Sequence, residues 1–345
     1  MPGEWEPHQA TWLVRPHNAR DWPGKLAAIR WVYVEIIRHL HTHETVCLVV
    51  QDAKGRDAAK RFLSRGGVDV ERLQFVIKRT DRAWVRDSGP TFVTDSGKLR
   101  AVSWKFNAWA KYSNWKLDAT LSGVVAKHSG AELVRPEAQG SPVVMEGGAI
   151  DSNGQGTLLS TEECLLSTDR QVRNPKLNRA ALEQVFTEYL GTRKVLWLDR
   201  GIVGDDTHGH VDDIARFVGA RRVVAASESD TSDENYGPLK ENLKRLHRAT
   251  DQDGRSLEVV ALPMPRPLYF DGVRLPASYL NFYVANGLVL VPTFNDPNDR
   301  VALGILAECF PDREVCGIHC VDMVWGLGTL HCATQQQPAC SEVPT

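Results

Sequence analysis

The chain has 345 residues, 42% hydrophobic and 24% charged, a globular composition with room for one large domain or two ordinary ones. A net charge of -2 gives none of the basic footprint of a nucleic-acid or acidic-membrane binder. No long apolar run is present, and the opening MPGEWEPHQA lacks the charged-then-apolar layout of a secretion signal, so a cytoplasmic location is the expectation.

Helix and strand signals then alternate along the chain. KLAAIRWVYVEIIRHL has helical periodicity, and ETVCLVV after it reads as a strand. DAAKRFLSRGG is a helix closed by glycine, and LQFVIKR is again a strand. Later helices are expected in NPKLNRAALEQVFTEYLG, YGPLKENLKRLHRA and DPNDRVALGILAECF, the last with aspartate as its cap. Strands are expected in KVLWLD, IARFVGARRVVAA, LEVVALP, NFYVANGLVLVPTF and REVCGIHCV. No linker or low-complexity segment divides this α/β pattern. Polar motifs fall at strand ends at roughly repeat-scale intervals: WVRDSGP, MEGGAID, THGHVDD, PASYLNFY and TLHCATQQQP. A repeat architecture would bring them together around one axis.

The densest chemistry is GDDTHGHVDDIARF, with two histidines and four aspartates. In an extended strand His208, His210 and Asp212 would share a face, a ligand set suited to zinc or manganese with a further ligand such as His319 or His331. A solvated loop, or half of a metal-free site, fits the same residues. Cys316, Cys320 and the nearby histidines could also suggest zinc, but their spacing is poor and core cysteines are the plainer reading. Seven cysteines without a disulfide-framework spacing read as reduced thiols.

Of these, Cys332 in GLGTLHCATQQQP is the best nucleophile, because glycines before it let backbone approach a ligand. TDRAWVRDSGPTF supplies Asp81, Trp84, Arg86 and Asp87, a receptor for a flat cation by stacking and charge-assisted hydrogen bonds. The alternative there is a structural Arg86–Asp87 pair. Glu146 ends an apolar strand before two glycines, where a backbone cap is the plainer role.

Together these segments resemble the agmatine deiminase family, which includes the bacterial type of peptidyl-arginine deiminase. The resemblance runs through EWEPHQATWLVRPHN, TDRAWVRDSGPTFV, KFNAWA, EGGAIDSNGQGTLLSTEECLL, GDDTHGHVDDIARFV, PASYLNFYVANGLVLVPTFNDPND and HCATQQQP. It implies a five-bladed α/β propeller, the pentein fold, of ββαβ units around a pseudo-fivefold axis. It implies one catalytic domain over 1–345 with a short tail after about 338. The site would be metal-free and cofactor-free, and would take a small guanidino substrate. Homo-oligomers are allowed; no nucleic acid or membrane partner is implied.

By the same resemblance Cys332 attacks the guanidinium carbon and Asp87 and Asp212 grip its nitrogens. His210 serves as acid and then base, and Glu146 orients His210. Trp84, Asp81 and Arg15 would complete the substrate pocket. His208 has no chemical role in this reading. Four positions depart from the family pattern. Arg15 stands where an aromatic residue is usual and Thr329 where asparagine is usual, while Leu327 and Ala110 each replace a glycine. Arg15 in the pocket would repel the second cation of agmatine, so arginine, peptidyl-arginine or a neutral alkylguanidine stay open as substrates. A thiol amidase, a metal-dependent ureohydrolase releasing urea, and a non-enzymatic guanidine binder are the competing functions.

Overall fold

The computed structural model describes residues 1–340, so the far end of the expected tail, from 341 on, lies outside the described residues. Its first sheet orders Thr334–Pro338, His8–Val14, Thr45–Val50 and Leu73–Ile77. The last strand runs antiparallel to the first, which ties the two ends of the described chain into one sheet. Parallel neighbours need a crossover, and helices Leu26–Leu40 and Ala53–Arg65 supply the two. The first buries Ile29, Tyr33, Val34, Ile36, Ile37 and Leu40, the spacing of one helical face. The second is capped by the Asp52 carboxylate, which accepts from Gly55 N at 2.6 Å.

Four further sheets repeat a single plan: an antiparallel hairpin, a helix, then a strand parallel to the hairpin's second arm. They comprise Thr91–Asp95, Lys98–Val102 and Glu132–Val134; Asp151–Ser152, Thr157–Thr161 and Lys194–Leu198; Ala215–Phe217, Arg222–Ser227 and Glu258–Pro263; and Tyr283–Ala285, Leu288–Thr293 and Glu314–His319. The mixed α/β class follows from this alternation. IARFVGARRVVAA and NFYVANGLVLVPTF, each expected as one extended stretch, are hairpins whose turns lie at residues 218–221 and 286–287. Helix Asn298–Cys309 starts after Pro297; the Asp296 carboxylate accepts from Asn298 N at 2.9 Å, one residue earlier than a cap position.

A short helical turn stands just before the first strand of most sheets. Val85–Ser88 precedes Thr91, Gly147–Ala149 precedes Asp151, Val211–Asp213 precedes Ala215, and Leu330–Ala333 precedes Thr334. These turns carry four of the five polar motifs; PASYLNFY reaches its strand without one. Among the described residues no helix is long and apolar enough to cross a membrane.

Candidate active site

Asp87, Glu146, His210, Asp212 and Cys332 all sit on or at the start of these turns, and all are buried. The structure gathers them around Gly148. A methyl group added there would lie 2.5 Å from His210 Nδ1, 3.0 Å from Asp212 Oδ2 and 3.1 Å from Asp87 Oδ1. Cys332 Sγ is 3.7 Å from Asp212 Oδ2 and receives the Asn281 side-chain N–H at 3.1 Å. Asp87 accepts from the Trp109 indole at 2.9 Å on Oδ2 and from Gly148 N at 3.1 Å on Oδ1. Asp87, Trp84 and Cys332 line a cavity of about 560 Å³.

Three acceptors or donors in this group have no partner: Asp212 Oδ1 and both ring nitrogens of His210. The nearest carboxylates to the ring are Glu146 Oε2, 3.5 Å from Nε2, and Asp87 Oδ1, 3.9 Å from Nδ1. These are ion-pair distances, too long for good hydrogen bonds. Buried polar atoms are normally satisfied, so the unpaired Asp212 Oδ1 is an acceptor left over for a ligand's N–H, and the His210 ring is free to hand on a proton.

The electrostatics separate the groups. Burial works against His210 as a cation, but Asp87, Cys164 and Glu146 outweigh it and hold the imidazolium well past its usual range. Burial likewise opposes ionisation of Asp212, which His331 and His210 nonetheless keep a carboxylate. Burial, then Asp212, Asp213 and Asp87, push the Cys332 thiol far up, with the Asn281 amide pulling the other way. Asp87 is pushed up by burial and by Asp212 and Glu146, against the pull of His210. The site is thus rich in acid and short of one cation.

A thiol, an imidazolium and two acidic side chains meeting around one point form a cradle for a planar cation. The profile of the Porphyromonas-type peptidyl-arginine deiminases matches residues 1–338. The chain belongs to this family. The agmatine deiminase of Stutzerimonas stutzeri strain A1501 is 36% identical over 364 residues, covering 98% of this chain and 95% of that one. The solved agmatine deiminase of Enterococcus faecalis superposes with a TM-score of 0.89 at 32% identity, over 99% of this chain and 96% of that one. A cysteine-to-serine variant of C. jejuni agmatine deiminase, solved with substrate bound, gives a TM-score of 0.84 at 27% identity over 98% and 95% of the two chains.

In this family member two residues expected in the pocket lie elsewhere. Arg15 follows the first strand, its N–H bonded to Val49 O, and faces a small separate recess with Arg30 and Tyr33. It does not line the cavity that Cys332 lines. The Asp81 carboxylate accepts from Leu117 N at 2.9 Å and so braces a loop, outside the cavity wall. The neighbouring Arg82 lines the cavity instead, paired with Asp21 at 2.7 Å. Arg86 turns away from Asp87 to His331 O and Gln336, so the two are not a pair. Glu146 makes no capping hydrogen bond. The shared face of His208, His210 and Asp212 does not form, because His208 has φ +66° and the segment is a turn. His208 reaches Glu163 at 3.8 Å. Glu146, Cys164 and His210 do converge closely enough to hold an ion, but the Arg173 guanidinium bonds both Glu146 oxygens at 3.3 and 3.4 Å. That positive charge opposes a metal cation there.

The two replaced glycines are explained by backbone. Leu327 has φ +66° and lines the cavity, and Ala110 has φ +52°. Both hold the left-handed conformation that glycine adopts without a Cβ clash. Thr329, in place of asparagine, donates to Asn281 Oδ1 at 2.8 Å and so braces the amide that meets Cys332. Sequence reasoning missed Asn281, Arg173 and Trp109. Asn281 lay inside PASYLNFY, one of the periodic polar motifs.

Proposed function

We propose that this protein is a guanidine-group deiminase acting on agmatine or a close guanidino relative, releasing ammonia and a ureido compound. The observation that carries the reading is the nucleophile and the cation cradle in one place: Cys332 Sγ 3.7 Å from Asp212, on a cavity that Asp87 also lines. The agmatine deiminase relatives support the substrate class.

In this reading the guanidinium lies between Asp87 and Asp212, its N–H groups taking the open Asp212 Oδ1. Its charge offsets the acidic field and favours the Cys332 thiolate. The thiolate attacks the guanidinium carbon and forms an S–C bond. His210 gives a proton to the departing nitrogen, and the C–N bond breaks as ammonia leaves. The S-alkylthiouronium that remains is attacked by water, whose proton His210 accepts. The C–S bond then breaks, the sulfur leaves as thiolate, and the remaining hydroxyl proton passes to solvent as the carbonyl forms. Glu146, fixed by Arg173, keeps His210 oriented and charged. From agmatine the product is N-carbamoylputrescine, a step towards putrescine.

The five similar sheets support a pentein propeller, with the site on its pseudo-fivefold axis in a single catalytic domain. We place the reaction in the cytoplasm and allow a homo-oligomer. The position of His208 and the charge of Arg173 favour this reading over a metal-dependent ureohydrolase. A paired assay for ammonia and urea on agmatine, arginine and neutral alkylguanidines tests it. Ammonia without urea, lost in Cys332→Ser, is the expected result; urea, or activity retained in that variant, would overturn it.

A further inference from the structure

Behind the site lies a buried network that the mechanism above does not use. His331 precedes Cys332 on the same helical turn, yet its ring turns to other partners. Nδ1 lies 2.7 Å from Asp212 Oδ2, and Nε2 lies 2.9 Å from Glu4 Oε2. His331 is 1% exposed, Glu4 5% and Asp212 fully buried. Glu4 is itself held on several sides. Its Oε1 accepts from Val284 N at 2.8 Å, and its Oε2 meets Arg216 at 2.7 Å and Arg86 at 3.6 Å. Arg216 is fixed in turn by Asp151 at 2.9 Å and by the Phe282 carbonyl at 2.9 Å. Arg86 also donates to the His331 carbonyl at 3.2 Å.

A carboxylate oxygen faces each ring nitrogen of His331. Nδ1 holds the Asp212 carboxylate only as an N–H donor, so the clamp requires a proton on that nitrogen. The clamp acts on Oδ2, the Asp212 oxygen 3.7 Å from Cys332 Sγ, and leaves Oδ1 without a partner. An aspartate carboxylate turns easily about its last bond. With Oδ2 pinned, that rotation is lost and the carboxylate keeps one orientation beside Cys332.

We infer that Glu4 and His331 are positioning residues: a histidine clamp, anchored through Glu4 to the far side of the core, that fixes Asp212 for gripping a cation beside the Cys332 thiol. The inference rests on the deiminase reading for its substrate. Its geometric content concerns any flat cation at Asp212. The clamp touches no reacting atom; it acts through Asp212. It also explains why the opening residues of the chain reach under the site, since Glu4 contacts groups contributed by four distant segments.

The test compares two alkylating reagents on Cys332: iodoacetamide, which is neutral, and chloroacetamidine, a flat amidinium of the same reach. Their ratio of second-order rate constants reads the grip of Asp212 on a cation, whether or not any guanidine is turned over. Glu4→Gln is the main variant, because it keeps an acceptor for Val284 N and removes the charge behind His331. His331→Gln is the second, and His331→Asn, which restores a donor near Nδ1, is the conservative rescue. In Glu4→Gln and His331→Gln the chloroacetamidine rate is expected to fall at least about 10-fold while the iodoacetamide rate stays within about threefold. The kcat/KM for agmatine should fall about 10- to 100-fold, the scale of a small misplacement of a substrate-holding group, and His331→Asn should recover part of it. An unchanged reagent ratio in folded variants overturns the clamp. In the wild-type protein, nitrogen NMR should show a proton on His331 Nδ1 hydrogen-bonded to Asp212, and an unprotonated Nδ1 overturns the clamp even if the variants fail to fold. Wild-type protein that turns over no guanidine, yet whose reagent ratio responds to Glu4→Gln, would remove the deiminase reading and leave the clamp standing.

Discussion

Cys332 Sγ faces Asp212 Oδ2 at 3.7 Å, so the nucleophile must ionise against a carboxylate. Burial raises the thiol first, and Asp212, Asp213 and Asp87 add to it. The neutral thiol is therefore the resting state, and a bound guanidinium removes much of the opposing field. Alkylation of Cys332 should show a midpoint well above the usual thiol range of about 8.5, falling when an unreactive guanidinium analogue is bound. Identical midpoints would dispose of substrate-assisted ionisation. Asp212→Asn should split two readouts: faster reaction with neutral iodoacetamide at pH 8, but guanidine turnover lower by about 100-fold or more. Both moving together would mean that Asp212 acts only on folding.

The lack of a side chain at Gly148 lets His210, Asp212 and Asp87 crowd against the backbone there. An added methyl would sit 2.5 Å from His210 Nδ1 and about equally close to both aspartates. The chain path at Gly148 lies outside the left-handed region, so alanine there meets crowding alone. Gly148→Ala should reduce turnover by at least about 100-fold, as expected when reacting groups are displaced. Thermal unfolding should change far less than after a core truncation. Near-normal kcat/KM would show that the guanidinium sits elsewhere.

Residues 108–110 run through three successive left-handed conformations, with φ of 53°, 58° and 52°. This turn presents the Trp109 indole to Asp87 Oδ2 at 2.9 Å. Strain of this kind persists where the surroundings fix it and often serves a site. Ala110 does not line the cavity, so relieving its strain should not alter chemistry. Ala110→Gly is expected to stabilise the protein by about 1 kcal/mol, the lower end of the cost of a left-handed L-residue, with kcat unchanged. Denaturant unfolding checks it, and a loss of stability would show that chain entropy outweighs strain here.

How far the sequence reveals this site depends on the range of each contact. Cys332, His210, Asp212, Asp87 and Glu146 stand out because each lies in a local polar motif, and the fold makes those motifs the short turns that lead into a strand. Glu4 carries no such signal. Its partner His331 is 327 positions away, and only closure of the first sheet by the last strand brings them together. Arg15 and Asp81 lie within recognisable segments, yet proximity to a motif does not say which way a side chain turns. The Arg15 side chain faces a different recess, and a loop N–H takes the Asp81 carboxylate. The hairpin at residues 215–227 is legible as β but not as two strands, because Gly219 is the lone turn signal between two β-branched runs.

Asp118 supports the cavity wall from behind, and its charge predicts a pH-dependent stability. It is 2% exposed, and its Oδ1 accepts from Asp81 N at 2.7 Å and Arg82 N at 3.3 Å. Burial pushes its pKa to about 7, although the two backbone N–H groups and Arg82 pull it down. Below the unfolded value of about 3.9 both states hold the proton, and Asp118 contributes no pH dependence. Between there and about 7 the folded state holds a proton that the unfolded state has lost. Stability therefore falls as pH rises through this window, by at most about 1.4 kcal/mol per unit for this group. Above it the buried carboxylate is charged and the penalty is constant. Asp118→Asn keeps the accepting oxygen and removes the charge. It should be more stable than wild type at pH 8, and its advantage should shrink steadily as pH falls from about 7 towards 5. Urea unfolding at pH 5, 6, 7 and 8 measures the gap. A gap that is constant with pH would mean that Asp118 ionises in the fold as it does in water, its two N–H partners fully offsetting burial.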